Sequence, residues 1–284
     1  VKLRMDAARA WADAGNELKA RELLGLIASD PAAAPQVANS ASTTLLGVLL
    51  AEGKVAEADS LLERVSGSLS LDERDRERRR LALAYARKGD LETADRMLMA
   101  DSSVAGFDAR GRVLAFRGDI KGASELLRLA GPFDDDREYV VRRVTIGALL
   151  QLAEVDKSDL IGSGLLALER GDTVAAVKSF EEAAAELGPK GAPTVLATAG
   201  ELAAAMGDGT TALRLYQAAE AGELPSAAAK SRHGRAVLLF EAGDNEAALA
   251  AVESVLIDYP DSAVVPAARR LRDLIIGAIP GRTR

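Results

Sequence analysis

The chain has 284 residues, 48% hydrophobic but only 4% aromatic, with 36 basic and 43 acidic side chains. A net charge of -7 and a pI near 5.1 argue against nucleic acid as the main partner, because duplex binding needs a concentrated basic surface. With no cysteine, disulfides, thiolate catalysis and cysteine-ligated metals are excluded, and no apolar run reaches the roughly 18 residues of a membrane span.

Alanine and leucine, both strong helix formers, supply most of the apolar surface, and long alternating β-branched runs are missing. The composition therefore predicts an all-helical, soluble protein. Val1 is not an initiator methionine, and a helical pattern begins at once over Lys2 to Ala14, which suggests that upstream residues were removed.

From there a phrase, Gly-(Asp/Asn/Lys)-x-x-x-Ala, recurs along the chain. Its copies are Gly15/Ala20, Gly53/Ala58, Gly89/Ala94, Gly118/Ala123, Gly171/Ala176, Gly207/Ala212 and Gly243/Ala248, with glycines 38, 36, 29, 53, 36 and 36 residues apart. Periods near 35 residues mark stacked helical units rather than one closed core. Glycine ends a helix in the left-handed conformation that other residues adopt only at a cost, and the following Asp or Asn accepts the free amide hydrogens of a second helix. The alanine then lies where two antiparallel helices approach closely. Apolar residues follow one turn later at Leu24, Leu62, Leu98, Leu127, Phe180, Tyr216 and Val252.

The run Asp72-Glu-Arg-Asp-Arg-Glu-Arg-Arg-Arg80 mixes signs at helical spacing, the pattern of a solvated face. Gly131-Pro-Phe-Asp-Asp-Asp-Arg breaks the repeat, Arg137 to Glu154 reads as one extra helix, and Val155 to Asp159 links to the next unit. The expected organisation is an N-terminal array of about four units over 1–130 and an irregular linker over 131–157, either a degenerate repeat or a boundary where the superhelix changes direction. A C-terminal array of about three units over 158–261 follows, then a capping helix and tail over 262–284, with Arg269, Arg270 and Arg272 on the polar side.

Catalytic patterns fail. Gly162-Ser-Gly164-Leu-Leu-Ala167 fits a dinucleotide fingerprint but lacks the preceding strand and βαβ context. His233 is the only histidine, which rules out paired-histidine metal sites, and Glu181 and Glu182 are adjacent on a helix and point apart. No cofactor or metal is expected.

The repeat resembles the tetratricopeptide repeat family, a helix-turn-helix of roughly 34 residues with an A-x-x-x-F step in its second helix. Ala176-Val-Lys-Ser-Phe180 and Ala212-Leu-Arg-Leu-Tyr216 carry that step. The small residue of the first helix appears as Ala8, Ala82, Gly111, Gly164, Gly200 and Ala236, with Leu46 departing from it; Trp11 and Tyr85 hold the aromatic position and Pro260 the repeat end. The match is strongest from about Ser158 to Asp261 and weak between Gly131 and Asp156. Tyr259-Pro-Asp-Ser262 is similar to the ending of bacterial envelope members, which leans localisation toward the periplasm or envelope over the cytoplasm.

The resemblance implies an all-α, right-handed α-solenoid of antiparallel helix pairs whose first helices line a concave groove. Positions thirteen, ten and six before the turn glycines then face it, and include Lys2, Arg9, Arg76, Arg79, Asp108, Arg112, Glu201, Lys230 and His233. The expected partner-binding set is Arg9, Arg76, Arg79, Arg112, Lys230 and His233, holding a protein or peptide that is acidic or ends in a free carboxylate. The implied role is a non-enzymatic interaction or assembly scaffold. Two alternatives stand beside it: the helical part of a larger enzyme whose catalytic domain lies upstream, and a self-assembling array.

Overall fold

The computed structural model describes residues 2–131, 137–222 and 224–279, and the side chains of these except at 2 and 137–142. All sixteen elements among the described residues are α-helices. They are α1 (Lys2–Asp13), α2 (Glu17–Ala28), α3 (Pro35–Ala51), α4 (Val55–Val65), α5 (Leu71–Lys88), α6 (Leu91–Leu98), α7 (Val104–Phe116) and α8 (Ile120–Ala130). Next come α9 (Arg137–Ala153), α10 (Asp159–Glu169), α11 (Thr173–Ala184), α12 (Gly191–Ala205), α13 (Gly209–Glu220), α14 (Pro225–Glu241), α15 (Asn245–Asp258) and α16 (Val265–Ala278).

The turn chemistry is that of the repeated phrase. All seven phrase glycines have positive φ, from +72° at Gly53 to +93° at Gly89. In six copies the next residue (Asn16, Asp90, Asp119, Asp172, Asp208 or Asp244) accepts a hydrogen bond from the backbone N–H three residues on. Lys54 stands at that place in the second copy, has no acceptor, and makes no cap bond. All seven phrase alanines are fully buried, and the seven apolar residues that follow them are buried.

Two compact units result, Val1–Val113 and Leu114–Arg284, dividing inside α7. In unit 1, α1 packs on α2, α3 lies against α2, α4 and α5, and α5 against α6; one apolar cluster runs from Met5 to Ala84. In unit 2 each helix from α10 to α16 packs on the next, and α12 also meets α9 and α14. Each helix thus leans mainly on its neighbours in sequence, the pattern of a helical repeat array.

Segment 131–157 lies within unit 2. Residues 132–136 fall outside the described residues, and the extra helix is α9, packed on α8 and α12. The link into α10 is pinned to the α7–α8 turn: Ser158 N–H donates to Gly118 O at 2.9 Å and Lys121 N–H to Asp156 O at 3.1 Å. This contact explains Gly162, since a Cβ there would stand 2.6 Å from Gly118 N and 2.8 Å from Phe116 O. The formal dinucleotide fingerprint is a helix packed on a turn. The last described helix, α16, buries Val265, Ala268, Leu271 and Ile275 and leaves Arg269 and Arg270 exposed.

Candidate protein-binding faces

The first helices of the pairs in unit 1 are α1, α3 and α5, and they enclose a groove of about 490 Å³. Asp13 and Glu17 line one side, Thr43, Thr44 and Gly47 the middle, and Arg76, Glu77 and Arg80 the other. The absence of a side chain at Gly47 makes room for Arg80, whose Nη2 would stand 2.8 Å from a Cβ on that glycine. Arg80 Nη1 donates to Glu77 Oε2 at 2.6 Å. Burial pushes the Glu77 carboxyl up, and the Arg80 and Arg76 guanidiniums oppose it. Arg76 is exposed and forms no described ion pair. Thr43 and Thr44 donate their hydroxyl protons to Ser40 O at 3.2 and 2.7 Å, so their oxygens remain as acceptors.

The other residues expected at this face are placed differently. Arg79 donates to Asp101 Oδ2 at 2.6 Å, joining α5 to the α6–α7 turn. Burial would raise the Asp101 carboxyl, but hydrogen bonds from Ser103 and Arg79 outweigh it and hold it below its ordinary value. Asp108 and Arg112, one turn apart on α7, are 1% and 5% exposed and engaged within the fold. Arg9 is exposed on α1, and the side chain of Lys2 lies outside the described residues.

In unit 2 the first helices α12 and α14, together with the extra helix α9, bound a groove of about 290 Å³ lined by Val144, Ala148, Thr194, Ala197, Thr198 and Lys230 among others. Lys230 reaches across to Glu201 Oε2 at 2.7 Å. His233, one turn further along α14, is half-buried; burial pushes its imidazole below the ordinary value, with Glu201 opposing and Arg270 adding to the shift. Glu201 thus lies beside both Lys230 and His233. Sequence reasoning missed Arg80, which falls outside the three counted positions; its signal was a glycine, Gly47, where the facing helix carries an arginine.

The opposite side of the pairs holds structural ion pairs. Arg214 pairs with Glu181 through two hydrogen bonds, and Arg232 with Asp258 and Glu220. Tyr85 O–H donates to Asp59 Oδ2 at 2.6 Å, whereas Trp11, at the same aromatic position, is 38% exposed. Among the described residues no group of His, Asp or Glu is arranged to hold a metal, and no helix is long and apolar enough to cross a membrane.

No known family model and no curated protein matches the chain. Among solved structures it is similar to a tetratricopeptide repeat protein from Parabacteroides merdae, at 14% identity over 96% of this chain and 98% of that one, with a TM-score of 0.42. It is also similar to the TPR domain of P58(IPK), at 18% identity over 83% of this chain and 65% of that one, with a TM-score of 0.35. The chain's own geometry, seven left-handed turn glycines each followed by a fully buried alanine, carries its resemblance to tetratricopeptide repeats.

Proposed function

We propose that this protein is a non-enzymatic scaffold that holds a segment of another protein along the first-helix faces of its pairs. The carrying observation is Arg76, an exposed guanidinium on the unit 1 groove with no described ion pair, beside Arg80 and opposite the Thr43 and Thr44 hydroxyls. A guanidinium so placed suits a carboxylate from an acidic side chain or a chain end through charge-assisted hydrogen bonds. Asp13 and Glu17 across the groove suit a basic neighbour in the same segment, so the favoured ligand carries both signs. Of the expected set, Arg76 and Lys230 line grooves, His233 is half-buried one turn from Lys230, and Arg9 is exposed. Arg79 is tied to Asp101, and Arg112 is buried and engaged within the fold.

Site-specific photo-crosslinking tests this reading. A crosslinking residue at Thr44 or Thr198, on the inner faces, should capture a defined protein segment from native extract, while one at Leu26 or Val174, exposed on the opposite side, should not. Equal capture from both sides would reject the groove.

A further inference from the structure

Tyr216, on the second helix α13, passes its ring between two first helices. Its Cδ1 and Cε1 atoms lie over Gly200 of α12, where an added Cβ would stand 2.7 Å away. Its hydroxyl end lies over Gly234 of α14, where an added Cβ would stand 2.5 Å from Cζ and 2.8 Å from Oη. The residue at the same distance from the turn glycine in α12 is Thr198, which lines the unit 2 groove, and the ring of the repeat before it is Phe180. Where the ring lacks a hydroxyl the next first helix carries threonine, and where the ring has one the next first helix carries no side chain. Tyr216 is 3% exposed, and its hydroxyl forms no described hydrogen bond, although a buried phenol ordinarily finds a partner. Burial pushes this phenol up and the Glu201 charge adds to the shift, so the hydroxyl keeps its proton and stands as a donor.

Glu201 lies one turn past Ala197 on α12, and Gly234 one turn past Lys230 on α14, so this place extends the groove along both helices. Lys230 Nζ occupies Glu201 Oε2 at 2.7 Å, and Glu201 Oε1 has no described partner. We propose, on the strength of the groove reading above, that Tyr216 and Glu201 make this end of the groove a site for a primary amide, the side chain of an Asn or Gln in the bound segment. The amide carbonyl accepts from the Tyr216 hydroxyl, and the amide N–H donates to Glu201. A carboxylate would meet the Glu201 charge with Lys230 already engaged, and Arg270 of α16 is exposed to water. An apolar side chain would leave the hydroxyl unpaired. The hydroxyl is recessed between α12 and α14, so a side chain reaches it where the backbone of the segment does not.

The test selects random-sequence peptides displayed on phage against the wild-type chain, and synthesises those that crosslink to a photoreactive residue at Thr198. These peptides should share an Asn or Gln at one fixed position. Replacing that residue by Ala, or making Tyr216→Phe in the chain, should weaken binding about threefold to tenfold, and both changes together should cost little more than either alone. The urea midpoint of Tyr216→Phe should be unchanged or raised, because the hydroxyl removed had no partner in the fold. A shared Asp, Glu or apolar residue in place of the amide, equal binding by Tyr216→Phe, or a lowered midpoint would overturn this proposal and leave the groove reading standing. Failure of every selected peptide to crosslink at Thr198 would overturn both.

Discussion

At the residue scale, glycine serves two physically different ends in this chain, and substitutions separate them. Gly164 and Gly200 sit under aromatic rings: an added Cβ would stand 2.6 Å from Phe180 and 2.7 Å from Tyr216. Both glycines have ordinary helical backbone, so Ala there should cost about 1–3 kcal/mol by overpacking, read as a lowered denaturant midpoint. At Gly53 nothing lies within 4 Å of the added Cβ, but φ is +72°, so Gly53→Ala should cost about 1–2 kcal/mol through backbone strain alone. Gly147→Ala, with open space and an ordinary φ, is the control and should be neutral or stabilising. These roles were legible in the sequence because the small residue before the turn and the aromatic after it keep a fixed separation. Gly162 was misleading there, since its partner, the Gly118 turn, lies far away along the chain.

His233 adds a pH prediction. Its folded-state pKa lies below the ordinary 6.5, so on acidification the unfolded chain takes up a proton before the folded one does. That contribution to stability is fully present above about pH 6.5 and is lost as pH falls through 6.5 toward the folded value. Between about pH 7 and pH 5, wild type should therefore lose more stability than His233→Gln, measured by urea unfolding. Parallel pH dependence of the two would contradict the burial argument.

At the element scale, the second repeat lacks the cap that the other six possess. Lys54 has φ -83° and ψ 59°, close to the -83° and 71° of Asp90, so its backbone already suits a capping side chain. Lys54→Asn should stabilise by about 0.5–2 kcal/mol, less whatever its partly buried ion pair with Glu52 contributes. Glu52 keeps Arg21 at 3.1 Å. Asp208→Ala should cost about 1 kcal/mol, since Asp208 accepts from Thr211 N–H. Helix starts and stops were the most legible part of the fold, because each rests on one glycine and one acceptor in fixed order. The side-chain partners of α5 were less legible. The run Asp72 to Arg80 reads as a uniform solvated face, yet Glu77 is buried, Arg79 is tied to Asp101 and Arg76 is left on the groove. That division depends on where α3 and the α6–α7 turn come to lie.

At the scale of the whole molecule, stability should be local, because each repeat is held chiefly by its neighbours. α16 packs on α15 and α14, and Ile275 is fully buried in that end cluster. Ile275→Ala should cost about 2–5 kcal/mol and lower hydrogen-exchange protection in α15 and α16 while sparing α10 and α11. Uniform loss across unit 2 would mean a closed core instead of an array. The period near 35 residues made this organisation readable, but the division inside α7 left no mark in composition or turn chemistry.

The central claim is that the inner faces hold a partner. Its most direct test is the affinity of the crosslinked segment, made as a synthetic peptide, for the wild-type chain and for Arg76→Glu, with Arg79 left intact to keep its bond to Asp101. The account predicts about a tenfold or greater loss of affinity on charge reversal, unchanged helicity, and weaker wild-type binding as salt rises. Equal affinity of the two proteins would contradict it.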